Sequence, residues 1–247
     1  MTDVRQAVDQ VLAAQQASGR PLGIVVAGHN GSGKSTLWYE RLAAAIQIPL
    51  VNADRMMMSI LPEPSAGKLP GWAAELRDTD ASWMQVAQRG VEAFVLHAMT
   101  AGVPFALETV FSDWREQADG TVLSKIDRIR EMQQSGYFVV LLFVGLSDAE
   151  LSVGRVLTRV FKGGHNVDVE KLRTRFPRTQ RAIRAALPVA DAAILTDNSR
   201  EPAHAFTLCR IQMGAEEVFD LRAGDDPVPA QISAWLDVIA PREAPAD

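Results

Sequence analysis

Short apolar runs alternate along this chain with stretches of 3.6-residue periodicity, a pattern that predicts strands separated by helices. Over residues 3–17, Val4, Ala7, Val8, Val11 and Leu12 share one helical face, and Gly19 and Pro21 end the stretch. Leu22 to Ala27 (LGIVVA) is apolar at every position, as a strand buried on both faces should be. A helix is expected from Ser35 to Ala45 and a second strand from Ile48 to Asn52. Pro62 to Pro70 reads as a loop, Trp72 to Met99 as helix, Pro104 to Val110 as strand and Trp114 to Gln134 as helix.

Beyond Gly136, Tyr137 to Val144 is the strongest strand of the chain. Helices are expected at Asp148 to Phe161 and Val169 to Ala186, the second kinked at Pro177. A strand over Ala192 to Leu195 then leads into an Asp197-Asn198-Ser199 turn. Phe206 to Met213 and Glu217 to Leu221 suit an edge hairpin, and Ala230 to Ile239 a final helix.

Strands separated by helices call for a doubly wound, mostly parallel sheet with helices on both faces, an α/β fold. Ligands in such sheets sit beyond the carboxyl ends of the strands. The loops after Ala27, Asn52, Leu107 and Val144 are therefore the places for chemistry. The expected organisation is an N-terminal helix (1–20), a core (21–200) with an arginine-bearing segment near 155–184, and an extension (201–247) on the same domain.

Composition narrows the class without naming a function. The chain has 247 residues, 47% of them apolar and 22% charged, which excludes a disordered chain, a collagen-like fibre and a disulfide scaffold. Cys209 has no partner for an internal disulfide, no apolar run approaches about 18 residues, and the first ten residues lack a signal-peptide core. The expectation is a cytoplasmic protein with no membrane role.

Charge is distributed unevenly. Residues 155–184 hold nine of the 25 basic residues against Asp168 and Glu170, a net of +7, while the whole chain carries −5. Arg outnumbers Lys by 20 to 5, and its planar fork of donors suits phosphate. The overall negative charge and the lack of interleaved aromatics in this segment argue against a nucleic-acid track.

One motif decides the fold family. Gly28-His29-Asn30-Gly31-Ser32-Gly33-Lys34-Ser35 satisfies G-x-x-x-x-G-K-[ST], between an apolar strand and a helix. Backbone N–H groups of such a loop turn inward around a β-phosphate, and the following helix points its positive end at the anion. Gly28 to Ser35, with Thr36, is the expected nucleotide cradle; Lys34 reaches the β/γ-phosphates and the Ser35 hydroxyl takes Mg²⁺. The fold is therefore expected to be a P-loop NTPase.

Two carboxylates follow neighbouring strands. Asp54 sits in VNADR and Glu108 in FALET, and both should project toward the phosphate loop, where a proton acceptor and a metal partner are needed. For Asp54 a helix N-cap is the alternative. Ser147-Asp148-Ala149-Glu150 reads as a capped helix start rather than a metal site. Arg155 and Arg159 share one helical face, then Lys162-Gly163-Gly164-His165 joins them to Arg173, Arg175 and Arg178. A helix, a glycine joint and a second arginine helix suit a lid over a triphosphate. Arg159 and Arg175 are the expected γ-phosphate contacts, with Arg155 and Arg173 behind them. His165 is expected at the joint or on substrate, His29 has no special role, and His97 is expected in the core. Met56-Met57-Met58 suits a pocket wall or plain packing, while Trp72, Trp83 and Trp114 are expected in the core.

In order, AGHNGSGKST, NADR, FALETVFS, ELSVGRVLTRVFKGGHNVDVEKLRTRF and PVADAAILTDNS resemble the zeta-toxin family of P-loop kinases, in particular its chromosomal branch. The resemblance spans Leu22 to Ser199. It implies transfer of the γ-phosphoryl group of ATP to the 3′-hydroxyl of the sugar in UDP-N-acetylglucosamine. By the same resemblance Asp54 is the general base, and Asp54, Arg55, Glu108, Thr109 and His165 contact the acceptor. The lid arginines map onto the Arg155/Arg159 and Arg173/Arg175 groups, and an antitoxin protein is an implied partner. Two departures bear on the acceptor: Val167-Asp168 follows the GGH where the branch has Pro, and Phe176 stands where Tyr is common. Related proteins phosphorylate nicotinamide dinucleotides; kinases of nucleic-acid ends and non-catalytic nucleotide switches are the remaining alternatives.

Overall fold

The structure, a computed structural model, describes residues 3–65, 68–161 and 167–242. The strands are β1 (Leu22–Gly28), β2 (Leu50–Val51), β3 (Phe105–Thr109), β4 (Trp114–Glu116), β5 (Val122–Ser124), β6 (Phe138–Gly145), β7 (Ala192–Asp197), β8 (Thr207–Met213) and β9 (Glu216–Asp220). Seven of them form one sheet in the order β2-β3-β1-β6-β7-β8-β9, while β4 and β5 pair apart. Pairing is parallel from β2 through β7 and antiparallel from β7 to β9. The fold is thus of the P-loop NTPase-like α/β class, and β1 lies where the chain switches direction across the sheet. That switch point is where such sheets hold ligands.

The helices are α1 (Val4–Ser18), α2 (Lys34–Leu37), α3 (Ala43–Ile46), α4 (Ala53–Ser59), α5 (Gly71–Thr79), α6 (Ala81–Ala101), α7 (Ile126–Gln134), α8 (Ala149–Phe161), α9 (Val169–Ala186) and α10 (Ala230–Ile239). They cover both faces. Val25, Ala27, Leu141, Phe143 and Leu195 point into a core shared with α6, α7, α9 and α10. The alternate positions Ile24, Val26, Leu142 and Ile194 face α1 and the helix after the phosphate loop. β1 and β6 are therefore buried throughout, and each fully buried Val or Leu contributes about 1.5–3 kcal/mol.

Five expectations are corrected. The helix after the phosphate loop is interrupted by a π-turn, Trp38–Leu42, in which the Ala43 N–H donates to the Trp38 carbonyl. The long helical stretch from Trp72 breaks at Asp80, whose carboxylate accepts from the Ser82 and Trp83 N–H groups at 2.8 and 3.2 Å and starts α6. The segment from Trp114 opens not as a helix but as the β4–β5 hairpin. Its turn is held by the Gln117 N–H donating to the Thr121 carbonyl at 2.8 Å, with Gly120 at φ 82°. Asp119 accepts from the Thr121 N–H and hydroxyl, which is turn chemistry that outweighs the helical periodicity. His97 is exposed on α6, and Trp72 is 61% exposed on α5; the large aromatics of the core are instead Trp38, Trp235, Tyr137 and Phe105. α9 continues through Pro177. No helix among the described residues is long and apolar enough to cross a membrane.

Candidate functional site

The phosphate loop leaves the end of β1 and is fixed from three sides. Lys34 turns back, its Nζ donating to the carbonyls of Gly28 and His29 at 3.1 and 2.9 Å. Asn198, just beyond β7, donates from Nδ2 to the Ser32 carbonyl at 2.8 Å. Ser152 of α8 donates to the Asn30 carbonyl at 2.7 Å. Gly33 has φ 91°, and a Cβ there would lie 2.7 Å from Asn198 Nδ2. Only glycine meets both demands.

Burial lowers the Lys34 pKa, Arg159 lowers it further, and the carboxylates of Glu108 and Asp54 oppose that shift, Glu108 the more strongly. Asp54, Glu108 and Arg159 line the same cleft as Lys34. Glu108, near the end of β3, accepts from the Ser35 hydroxyl, whose Oγ lies 3.0 and 2.9 Å from its two carboxylate oxygens. A hydroxyl and a carboxylate at a phosphate cradle form a hard-oxygen pair that fits Mg²⁺, an ion that takes few protein ligands and completes its shell with phosphate oxygens and water.

Asp54 lies in the first turn of α4 and is exposed. It is not the cap of that helix: Asn52 is, accepting from the N–H groups of Asp54 and Arg55 at 2.8 and 3.3 Å. The Asp54 carboxylate thus makes no cap and lines a cleft of about 910 Å³ together with Asn30, Gly31, Lys34, Glu108 and Thr109. Arg159, Lys171, Thr174, Arg175 and Arg178 line the same space. Arg175 is half-buried, and desolvation lowers its pKa.

Other expected site residues are placed differently. Arg55 is not among the residues lining the cleft, and its guanidinium lies 4.2 Å over the Tyr39 ring. Arg173 is turned outward and pairs with Glu150 and Glu170, each at 2.7 Å. Arg155 packs beside the loop, its Cβ 3.0 Å from where a Gly31 Cβ would lie. Thr36 is exposed at the start of α2. His165 and the rest of the Lys162-Gly163-Gly164-His165 joint lie outside the described residues.

His29 is far from roleless in packing. It is 3% exposed and lies flat on Phe176 of α9, with ring centroids 3.9 Å apart and planes 11° from parallel. Burial, aided by Lys34, lowers its pKa to about 3, so the ring is neutral. Its Nε2 is buried without a hydrogen-bond partner.

The far wall of the cleft escaped sequence reasoning. Met84, Gln88, Val91, Glu92 and Val95 line it from α6, and Ser112, Asp113, Lys125 and Arg128 close it. Glu92 accepts from Arg128 at 2.6 Å, joining α6 to α7. A signal was present: Gln88 and Glu92 interrupt an otherwise apolar stripe at i, i+4 spacing.

Sequence and fold comparisons place the chain beside known proteins. The chain is 28% identical over 152 residues to an uncharacterised protein of Haemophilus influenzae, an alignment covering 61% of this chain and 90% of that one. A structure from the PezAT chromosomal toxin–antitoxin system of Streptococcus pneumoniae superimposes with a TM-score of 0.54 at 13% identity, covering 99% of this chain and 90% of the other. A structure of the AvrRxo1-ORF1:ORF2 complex with ATP gives 0.56 at 14% identity, covering 98% and 71%. At these identities the structural likeness is one of fold. The Zeta toxin family model matches residues 6–201, most of the chain. The chain belongs to the zeta toxin family.

Proposed function

We propose that this protein is an ATP-dependent kinase, transferring the γ-phosphoryl group to a sugar hydroxyl of a nucleotide-linked acceptor such as UDP-N-acetylglucosamine. One observation carries the reading: Lys34, Asp54, Glu108, Arg159 and Arg175 surround one cleft at the carboxyl ends of β1, β2 and β3. A neighbour of the same fold was crystallised with ATP, and the reading assigns that nucleotide to the Gly28–Ser35 loop here.

In this scheme the loop amides and Lys34 hold the polyphosphate, and Ser35 with Glu108 holds Mg²⁺. Bound there, the ion would supply positive charge to offset that of the polyphosphate. Asp54 accepts the proton of the acceptor hydroxyl as its oxygen bonds to Pγ. The bond from Pγ to the bridging oxygen breaks, and ADP leaves with that electron pair. Arg159 and Arg175 stabilise charge on the transferred group, while Glu108 and Thr109 orient the acceptor. The reaction belongs to the cytoplasm, with an antitoxin protein as partner, in keeping with the toxin–antitoxin source of one structural neighbour.

The test is mass spectrometry of protein incubated with Mg²⁺-ATP and UDP-N-acetylglucosamine, beside Asp54→Asn. A product heavier by one phosphoryl group, missing with the variant, supports acceptor and base together. If no product forms, the UDP-sugar is withdrawn and nicotinamide dinucleotides are tried next.

A further inference from the structure

We infer that His29 and Phe176 are positioning residues: their stacked rings clamp the arginine helix α9 onto the phosphate loop and so fix Arg175 at the cleft. The inference rests on the kinase reading for what Arg175 does, and on geometry alone for what the rings do.

The contact spans two elements that meet nowhere near each other in sequence. His29 follows directly from β1, within the loop, whereas Phe176 lies in α9. Both rings are buried, at 3% and 8% exposure, and they overlap face to face at 3.9 Å. Phe143 of β6 meets the His29 ring edge-on at 5.8 Å, so the imidazole is held from the sheet side too. A helical residue adjacent to a clamped one inherits its position, and that neighbour is Arg175, which lines the cleft.

The chemistry of His29 favours a packing role over a polar one. Its Nε2 has no partner, and a buried orphan nitrogen costs free energy rather than supplying it. The neutral ring offers no charge to a phosphate. What remains is a flat surface of the right size to stack on an aromatic partner. On this account the residue needed at position 29 is a ring, and the imidazole nitrogens are dispensable.

The other anchors of α9 are weaker candidates for setting Arg175. Arg173 pairs with Glu150 at the exposed surface, where ion pairs hold little. Thr179 donates to the Val110 carbonyl at 3.3 Å, one turn further on. The ring stack is the contact nearest to Arg175 that is buried on both sides.

The experiment compares wild type with His29→Ala, His29→Phe, Phe176→Ala and Phe176→Tyr. Hydrogen exchange over residues 172–180 is read in the protein without nucleotide, and transfer to UDP-N-acetylglucosamine is read with saturating Mg²⁺-ATP. Both alanine variants should speed exchange in that segment tenfold or more and lower kcat at least tenfold, with the KM for ATP changing less than threefold. His29→Phe should keep exchange in that segment within threefold of wild type, and Phe176→Tyr should stay within threefold in both readouts.

Unchanged exchange in the alanine variants overturns the clamp. Faster exchange with kcat unchanged overturns the positioning of Arg175 while the kinase reading stands. Exchange as fast in His29→Phe as in His29→Ala shows that the nitrogens matter and overturns the packing role. If wild type transfers nothing to this acceptor, the exchange readout still decides the clamp, and only the kinase reading or its acceptor has failed.

Discussion

The Ser35 hydroxyl oxygen lies 3.0 and 2.9 Å from the two carboxylate oxygens of Glu108. One proton serves both, so the first turn of the phosphate helix is tied to the end of β3 by a contact that a cation would have to share. Glu108→Gln keeps an acceptor for Ser35 and removes the charge. Under the proposed reaction, the Mg²⁺ concentration giving half-maximal transfer should rise about 10–100-fold, measured by titrating Mg²⁺ at fixed ATP. An unchanged requirement would separate Glu108 from the metal.

Lys34 has two jobs in the structure, one electrostatic and one architectural, because it also donates to the Gly28 and His29 carbonyls. Lys34→Ala should lower transfer by about 10²–10³ at saturating ATP, the range seen when one donor to a developing charge is removed. Single-turnover kinetics checks this. In cells, if the wild-type protein slows growth, the variant should not.

Asp54 is exposed and makes no helix cap. Asp54→Asn should therefore leave ATP affinity within about threefold of wild type, a change under about 0.7 kcal/mol, while transfer falls below detection. Calorimetric titration with ATP beside the transfer assay separates these effects. A large loss of ATP affinity would reassign Asp54 to the metal.

Two glycines should respond to alanine with opposite signs. Gly33→Ala forces a Cβ to 2.7 Å from Asn198 Nδ2 at φ 91°, at a cost of about 1–3 kcal/mol. Gly154, inside α8, has nothing within 4 Å of its would-be Cβ, so Gly154→Ala should stabilise by about 0.5–1 kcal/mol. Each kcal/mol moves Tm by about 2–4 °C in a protein of this size, which thermal unfolding resolves.

His29 gives stability a pH dependence of known sign. Its pKa is lowered from 6.5 to about 3 on folding, so between those values the unfolded chain binds the extra proton. Stability from this group is complete above pH 6.5 and is lost as pH falls, by up to about 1.4 kcal/mol per unit. Urea unfolding between pH 7 and 5 should show that slope in the wild type and not in His29→Phe.

Much of this arrangement is legible from local pattern. The β1 run and the loop after it are covalently adjacent, so one motif carries strand, turn and helix start together. The β8–β9 hairpin and α10 also announce themselves, through alternation and a clean apolar face. What pattern could not supply was competition between neighbours. Arg173 and Arg175 look alike in sequence, and only the nearness of Glu150 and Glu170 turns Arg173 outward. His97 sits in an apolar stretch, yet is exposed on α6. The Asp119-Gly120 turn is embedded in helical periodicity between Trp114 and Gln134, and the periodicity hides it from pattern although the turn prevails in the fold. The Gln88 and Glu92 wall becomes meaningful only once the cleft shows which face of α6 it adjoins.

The two margins of the sheet have a consequence for how other proteins can approach. One margin is β2, only two residues long. The other is β9, whose exposed Glu216 and Glu217 sit at the open edge beyond β8. Short and acidic edges are poor templates for an added strand. A protein that recognises this molecule therefore has little backbone to extend, and must read its helices or the mouth of its cleft.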